Sequence, residues 1–110
     1  PFNAGDITIN HNTLVAFTGA PIGSYPGSGD PMNSVMQIGQ LNDPVGSITF
    51  TDNLCDGGNY TLNANTTGSG CGPISIQNNR FGRDYQYGIN AIGFSYTWSG
   101  NVYDDNGSTA

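Results

Sequence analysis

Few side chains in this sequence can do acid–base, nucleophilic or metal chemistry. The only histidine, His11, lies in the polar run Asn10-His11-Asn12-Thr13. A Ser-His-Asp or Cys-His system would have to use it, because no other side chain here titrates normally near neutrality. No serine sits in a GxSxG elbow, and Ser95 has only the first glycine. His11 therefore reads as an exposed turn residue, and the expectation is that the protein is not an enzyme. The eight acidic residues are all Asp. Some pair of them could stand at a glycosidase separation, but a small β-rich chain leaves little material for a cleft. Asp52-Asn53-Leu54-Cys55-Asp56-Gly57 resembles the start of a calcium loop, yet Leu54 stands where an oxygen ligand is needed and Asn63 where a bidentate Glu is required.

The two cysteines, Cys55 and Cys71, are not arranged as CxxC and are expected to pair. Their disulfide would close a loop of about 15 residues, worth roughly 3 kcal/mol in the chain-entropy model. Three sequons stand at Asn59, Asn65 and Asn106. With the absence of Lys and the Gly, Asn and Thr richness, they point to a secreted, extracellular glycoprotein. The chain opens at Pro1 without a basic or apolar leader, so a signal peptide is read as already removed.

The remaining candidates cluster late in the chain. Tyr85, Tyr87, Phe94, Tyr96, Trp98 and Tyr103 concentrate the aromatic surface there. Ile92, Phe94, Tyr96 and Trp98 alternate with small or polar residues, which assigns them to a core face. Tyr85, Tyr87 and Tyr103 are left free to stack on a ligand such as a sugar. Arg80 and Arg83, the only two basic residues, are the candidates for gripping an anionic group. Their alternative role is pairing with Asp84 or another surface aspartate.

The elements that must position these residues are strands. Glu and Lys are absent and Leu occurs only at 14, 41, 54 and 62, so the usual helix formers are missing. Short β-forming runs appear at 6–9, 14–18, 34–38, 47–51, 60–63, 73–77, 85–87 and 89–98, separated by Gly/Pro/Asn breakers. This predicts one all-β domain, an antiparallel sandwich or barrel. A formal charge of −6 disfavours nucleic acid and anionic membranes. No apolar run is long enough to span a bilayer.

The chain also matches itself at an offset of 41 residues. Gly5, Ile7, Thr8 and Asn12 fall on Gly46, Ile48, Thr49 and Asn53; Gly27-Ser28-Gly29 falls on Gly68-Ser69-Gly70, and Ser34 on Ser75. The reading is two repeat units, 5–39 and 46–80, followed by C-terminal strands in 81–110. The second unit, ITFTDNLCDGGNYTL, resembles the opening of a βγ-crystallin Greek-key motif. Gly58 stands at that motif's hairpin glycine, and Ser75 and Ser34 stand near its characteristic serine. Thr51 and Asp56 occupy the place of its aromatic corner, which is a departure. The resemblance covers 5–80 and implies two Greek keys packed face to face. It also implies weak calcium binding, for which Asp30 is the one residue that fits; no other cofactor is expected.

The functional expectation is a non-enzymatic secreted protein acting through its surface, with the general look of a fungal effector or elicitor of host defence. Its partner would be a host or microbial protein, or a glycan. The alternatives are a carbohydrate-binding module using the exposed tyrosines and a crystallin-like protease inhibitor or toxin.

Overall fold

The computed structural model describes residues 5–16, 34–38, 46–64, 72–93 and 95–110. Eleven strands occur there: β1 (Ile7–Asn10), β2 (Thr13–Ala16), β3 (Met36–Ile38), β4 (Ile48–Thr51), β5 (Leu54–Gly57), β6 (Tyr60–Ala64), β7 (Ile74–Gln77), β8 (Arg80–Phe81), β9 (Gly88–Ile92), β10 (Tyr96–Ser99) and β11 (Val102–Tyr103). They build three sheets, ordered β1-β4-β7-β10, β2-β5-β8-β11 and β3-β6-β9. Each strand pairs with the one three places further along the chain, and every strand pair is parallel. The chain therefore winds as a parallel β-solenoid of three complete coils and a fourth that contributes two strands. No helix among the described residues is long and apolar enough to cross a membrane.

This corrects the expected antiparallel sandwich or barrel and its two Greek keys. A strand with alternate side chains in the core shows the same period-two pattern whether its neighbour is parallel or antiparallel. Parallel pairing needs a crossover, which is usually a helix. Here the other two strands of each coil form the crossover, so no helical signal accompanies it.

The self-similarity at 41 residues is the stacking register of the first coil on the second. Ile7 lies beside Ile48, Thr8 beside Thr49, and Thr13 beside Leu54. Ser34 and Ser75 are not partners, however. Ser75 sits in β7 between Thr49 and Thr97, whereas Ser34 precedes β3, which stacks on β6. The Gly27–Gly29 and Gly68–Gly70 segments lie outside the described residues. Residues 81–110 continue the same solenoid instead of standing apart from it.

One corner repeats in every coil. His11, Asp52, Asn78 and Gly100 have φ of 58, 58, 58 and 67°, and each precedes an asparagine. The left-handed conformation turns the chain from the first sheet into the second in two residues. Asn, Asp and Gly are the residues that tolerate it best, and His is enriched there too. The asparagines Asn12, Asn53, Asn79 and Asn101 then stack into a ladder. The backbone N–H groups of Asn12, Asn53 and Asn79 each donate to the side-chain Oδ1 one coil ahead, at 2.9, 2.9 and 3.0 Å. Their Nδ2 groups donate to the same oxygens at 3.2, 3.1 and 3.0 Å. The Nδ2 groups of Asn53, Asn79 and Asn101 also reach back to the carbonyls of Ile9, Phe50 and Ile76. Each inner amide thus ties three coils together, and Asn53, Asn79 and Asn101 are buried.

Packing supplies the larger stabilisation. Phe50, Phe81, Leu62, Ile74 and Ile76 are fully buried, each worth roughly 1.5–3 kcal/mol on burial. A net hydrogen bond gives about 1 kcal/mol. The core therefore drives collapse, while the ladder fixes register, since a one-residue slip would turn every inward side chain outward.

Candidate functional site

The interior is a set of side-chain rows running along the solenoid axis. Ile7, Ile48, Ile74 and Tyr96 form one row, and Ile9, Phe50, Ile76 and Trp98 a second. Leu14, Cys55, Phe81 and Tyr103 form a third, and Met36, Leu62 and Asn90 a fourth. Every row is apolar inside and ends, at its C-terminal coil, in a side chain with a polar tip. Because the third sheet stops at β9 while the other two continue to β10 and β11, these ends face an open mouth.

That mouth is a cavity of about 530 Å³ walled by Tyr85, Tyr96, Trp98 and Tyr103, with Ile89 and Asn90 on the β9 side. Trp98 is held by a stacked contact with Phe81 at 5.5 Å and an edge contact with Tyr96 at 6.2 Å. Its indole N–H donates to the Ala110 carbonyl at 3.1 Å. Segment 104–110 folds back to make this contact: Thr109 bridges to Val102, and the Ala110 N–H donates to the Asn101 carbonyl at 3.0 Å. The Tyr96 hydroxyl lies 3.5 Å from Asn90 Oδ1. A hydrogen bond to Tyr103 is the main cause holding the Tyr85 phenol above its ordinary pKa.

The structure brings Tyr85 and Tyr103 together in this mouth. Tyr87 lies outside it, 64 % exposed and packed against Tyr60 with ring centroids 5.7 Å apart. Residues 85–87 form no strand, contrary to what their β-forming character predicts, and Gln86 and Tyr87 make a bend. The expected single strand 89–98 is two strands in different sheets, β9 and β10. Tyr96 is consequently 39 % exposed, and Phe94 lies outside the described residues. Tyr96, Trp98 and Asn90 are the site residues that sequence reasoning missed. Their alternation marked two of them as core, and only the end of a stacked row shows them as lining a mouth.

Neither arginine reaches the cavity. Arg80 pairs with Asp104. Arg83 donates from Nε to Asp105 Oδ2 at 2.7 Å, and its guanidinium lies over the Tyr103 ring, 3.5 Å from the centroid. This hydrogen bond holds the Asp105 carboxyl below its ordinary pKa and raises that of Arg83. Both arginines thus pair with surface aspartates, as their alternative role expected, though not with Asp84, which donates its backbone N–H to Asp56 Oδ1 at 2.9 Å.

A smaller groove of about 350 Å³ crosses the asparagine corner beside His11, Asp52, Asn78 and Arg80. His11 hydrogen-bonds its neighbour Asn10. No group of three His, Cys, Asp or Glu gathers among the described residues. Asp30, the candidate calcium ligand, lies outside them.

Cys55 is a free thiol, fully buried on β5, so the expected disulfide is not seen at this residue; Cys71 lies outside the described residues. Burial, with a smaller push from Asp56, raises the Cys55 thiol to about 12. A thiol whose folded pKa lies above its ordinary 9.0 favours folding below that value, and the contribution fades as pH climbs toward 12. Cys55 is therefore expected to resist an aromatic disulfide reagent at pH 8 in the native state. It should react fully in denaturant, which absorbance of the released thiolate reports.

Of the three sequons, Asn106 is exposed, its Oδ1 accepting the Ser108 N–H at 2.9 Å. Asn59 has a buried Oδ1 without a hydrogen-bond partner, and Thr61 is fully buried with its hydroxyl donating to the Gly57 carbonyl at 2.9 Å. Asn65 lies outside the described residues. No protein-family model, curated protein or solved structure matches this chain.

Proposed function

We propose that the protein is a non-enzymatic, extracellular glycan-recognition domain whose aromatic mouth stacks on sugar rings. The observation that carries this reading is the convergence of Tyr85, Tyr96, Trp98, Tyr103 and Asn90 on one cavity. Its size lies within the roughly 300–1,000 Å³ of small-molecule sites. Aromatic faces supply apolar contact to the C–H faces of a pyranose, and phenol and amide groups satisfy its hydroxyls. The parallel scaffold holds Asn90, Tyr96, Trp98 and Tyr103 on strands, with Tyr85 in the connection before β9, so little ordering entropy is lost when a ligand binds.

The partner in this reading is a glycan on a host or microbial surface, and the secreted setting rests on the composition and the exposed Asn106 sequon. An effector or elicitor role would follow from what carries that glycan.

Trp98 is the only tryptophan, so its fluorescence reports the mouth directly. Titration with oligosaccharides selected on a glycan array is expected to shift its emission. Tyr96→Ala should weaken binding by roughly tenfold, or about 1.4 kcal/mol, while Tyr87→Ala, outside the cavity, leaves it unchanged. Tyr96 is exposed, so its loss should leave the circular dichroism spectrum intact. An array on which no sugar binds, or equal effects of the two substitutions, would leave the aromatic ends as a plug for the core and sink the proposal.

A further inference from the structure

Both cations of the chain are withdrawn from the mouth, and one of them is built into its wall. Arg83 lies over the Tyr103 ring at 3.5 Å and is fixed there by Asp105. Tyr103 lines the cavity, whereas Arg83 does not. The guanidinium therefore covers a part of the ring turned away from the ligand space. Tyr85, which also lines the cavity, interacts with Tyr103 through its side chain. Arg80 is likewise held by Asp104. Among the described residues no Asp, Glu, Lys, Arg or His side chain lines the cavity, and the chain as a whole carries −6.

We infer that the mouth selects uncharged oligosaccharides over uronides, and that Asp105-Arg83 is a positioning pair that sets the Tyr103 ring for stacking. The inference rests on the glycan reading above and adds the ligand's charge class. A uronide brings carboxylates to a site with no free cation, inside the field of an acidic protein. Desolvating them there has no compensation. An uncharged ring asks only for hydrogen bonds and apolar faces, which the lining provides. A guanidinium stacked on an aromatic and anchored by a carboxylate is a rigid support, because the fork fixes its plane.

The test is calorimetric titration of the intact chain with neutral gluco-, manno- and xylo-oligosaccharides and with a galacturonate oligomer of equal length. Wild type is expected to bind at least one neutral oligomer about tenfold more tightly than the uronide at low salt. Asp105→Asn keeps the side chain's size but releases Arg83. It should weaken neutral binding several-fold and strengthen uronide binding, a gain that added salt removes. Asp105→Glu, which can still anchor the guanidinium, should restore the wild-type ranking.

A change in general stability would not reverse the preference between sugars, so the reversal separates positioning from a structural role. Wild type that prefers the uronide, or Asp105→Asn that leaves both affinities unchanged, would overturn the inference while leaving glycan recognition standing. Wild type that binds no sugar of any kind would remove the glycan reading itself.

Discussion

Replacing Asn79 by alanine is expected to cost about 3–5 kcal/mol of folding stability, because two or three buried polar groups lose partners and each orphan costs roughly 1–3. Asn79 is fully buried. Its Oδ1 accepts the backbone N–H and the side-chain amide of Asn53, and its Nδ2 donates to the Phe50 carbonyl and to Asn101 Oδ1. Alanine leaves the Asn53 N–H unpaired in a site closed to water and takes one bond each from the Phe50 carbonyl, the Asn53 amide and Asn101 Oδ1. A loss of that size is a large share of the roughly 5–15 kcal/mol that holds a domain together. Urea unfolding should show a lower midpoint with an unchanged slope.

The matching control is Asn12→Ala at the exposed end of the same ladder, where water can replace the lost bonds and the cost should stay below about 1 kcal/mol. Equal losses at the two positions would mean that the ladder is decoration. Asn79→Asp adds a sign. The carboxylate cannot donate to Phe50 or Asn101, and burial raises its pKa, so the folded state binds more protons than the unfolded one. Its stability should therefore rise as pH falls.

The second large effect belongs to Gly72. A Cβ there would stand 2.8 Å from the Gly46 carbonyl carbon and 2.9 Å from its oxygen. Those atoms are backbone, held by the Gly72 N–H donating to Gly46 O at 3.1 Å and the Gly46 N–H donating to Gly5 O at 2.9 Å. Neighbouring coils are separated by only about 4.8 Å, so the methyl must wedge them apart where the first sheet begins. Overpacking of this kind costs about 1–3 kcal/mol, more than the 0.4–1 kcal/mol that alanine gains by stiffening the unfolded chain. Gly72→Ala should lower Tm on the order of 10 °C by calorimetry. Gly107 has φ of 72° but open space around it, so Gly107→Ala should show only the smaller cost of a left-handed alanine, about 1–2 kcal/mol. A Tm for Gly72→Ala at or above that of Gly107→Ala would refute the wedge.

The legible part of this fold was its local chemistry. Breakers and β-formers marked eight of the eleven described strands and missed β5, β8 and β11, and the match of Ile7-Thr8 and Asn12 to Ile48-Thr49 and Asn53, read as a repeat of two units, was one stacking step. The other steps were hidden by their spacing. Ladder partners are separated by 41, then 26, then 22 residues, so a search at one fixed offset finds only the first. Read with gaps, Ile-Thr-Ile-Asn-His-Asn, Ile-Thr-Phe-Thr-Asp-Asn, Ile-Ser-Ile-Gln-Asn-Asn and Tyr-Thr-Trp-Ser-Gly-Asn are one motif. Its closing asparagine looked like loop polarity because asparagine is seldom buried. The site was half visible for a related reason. Tyr85 and Tyr103 stood out as unassigned aromatics, whereas Tyr96 and Trp98 alternated like core residues, and nothing local says that a row has reached its last coil.

The unequal spacing also bears on how the molecule comes apart. Closing the 41-residue step costs only about 0.5 kcal/mol more than closing the 22-residue step, too little to decide where assembly starts. Burial decides instead. The first coil shows Ile7 at 37 % and Val15 at 72 % exposure, whereas the neighbouring Ile48 is at 3 %. In a chain of coils that each touch only their neighbours, stability is a sum of stacking terms, and the terminal unit with the least buried face goes first. The solenoid should unravel from β1 and β2 toward the aromatic mouth, so the mouth keeps its shape while the opposite end frays.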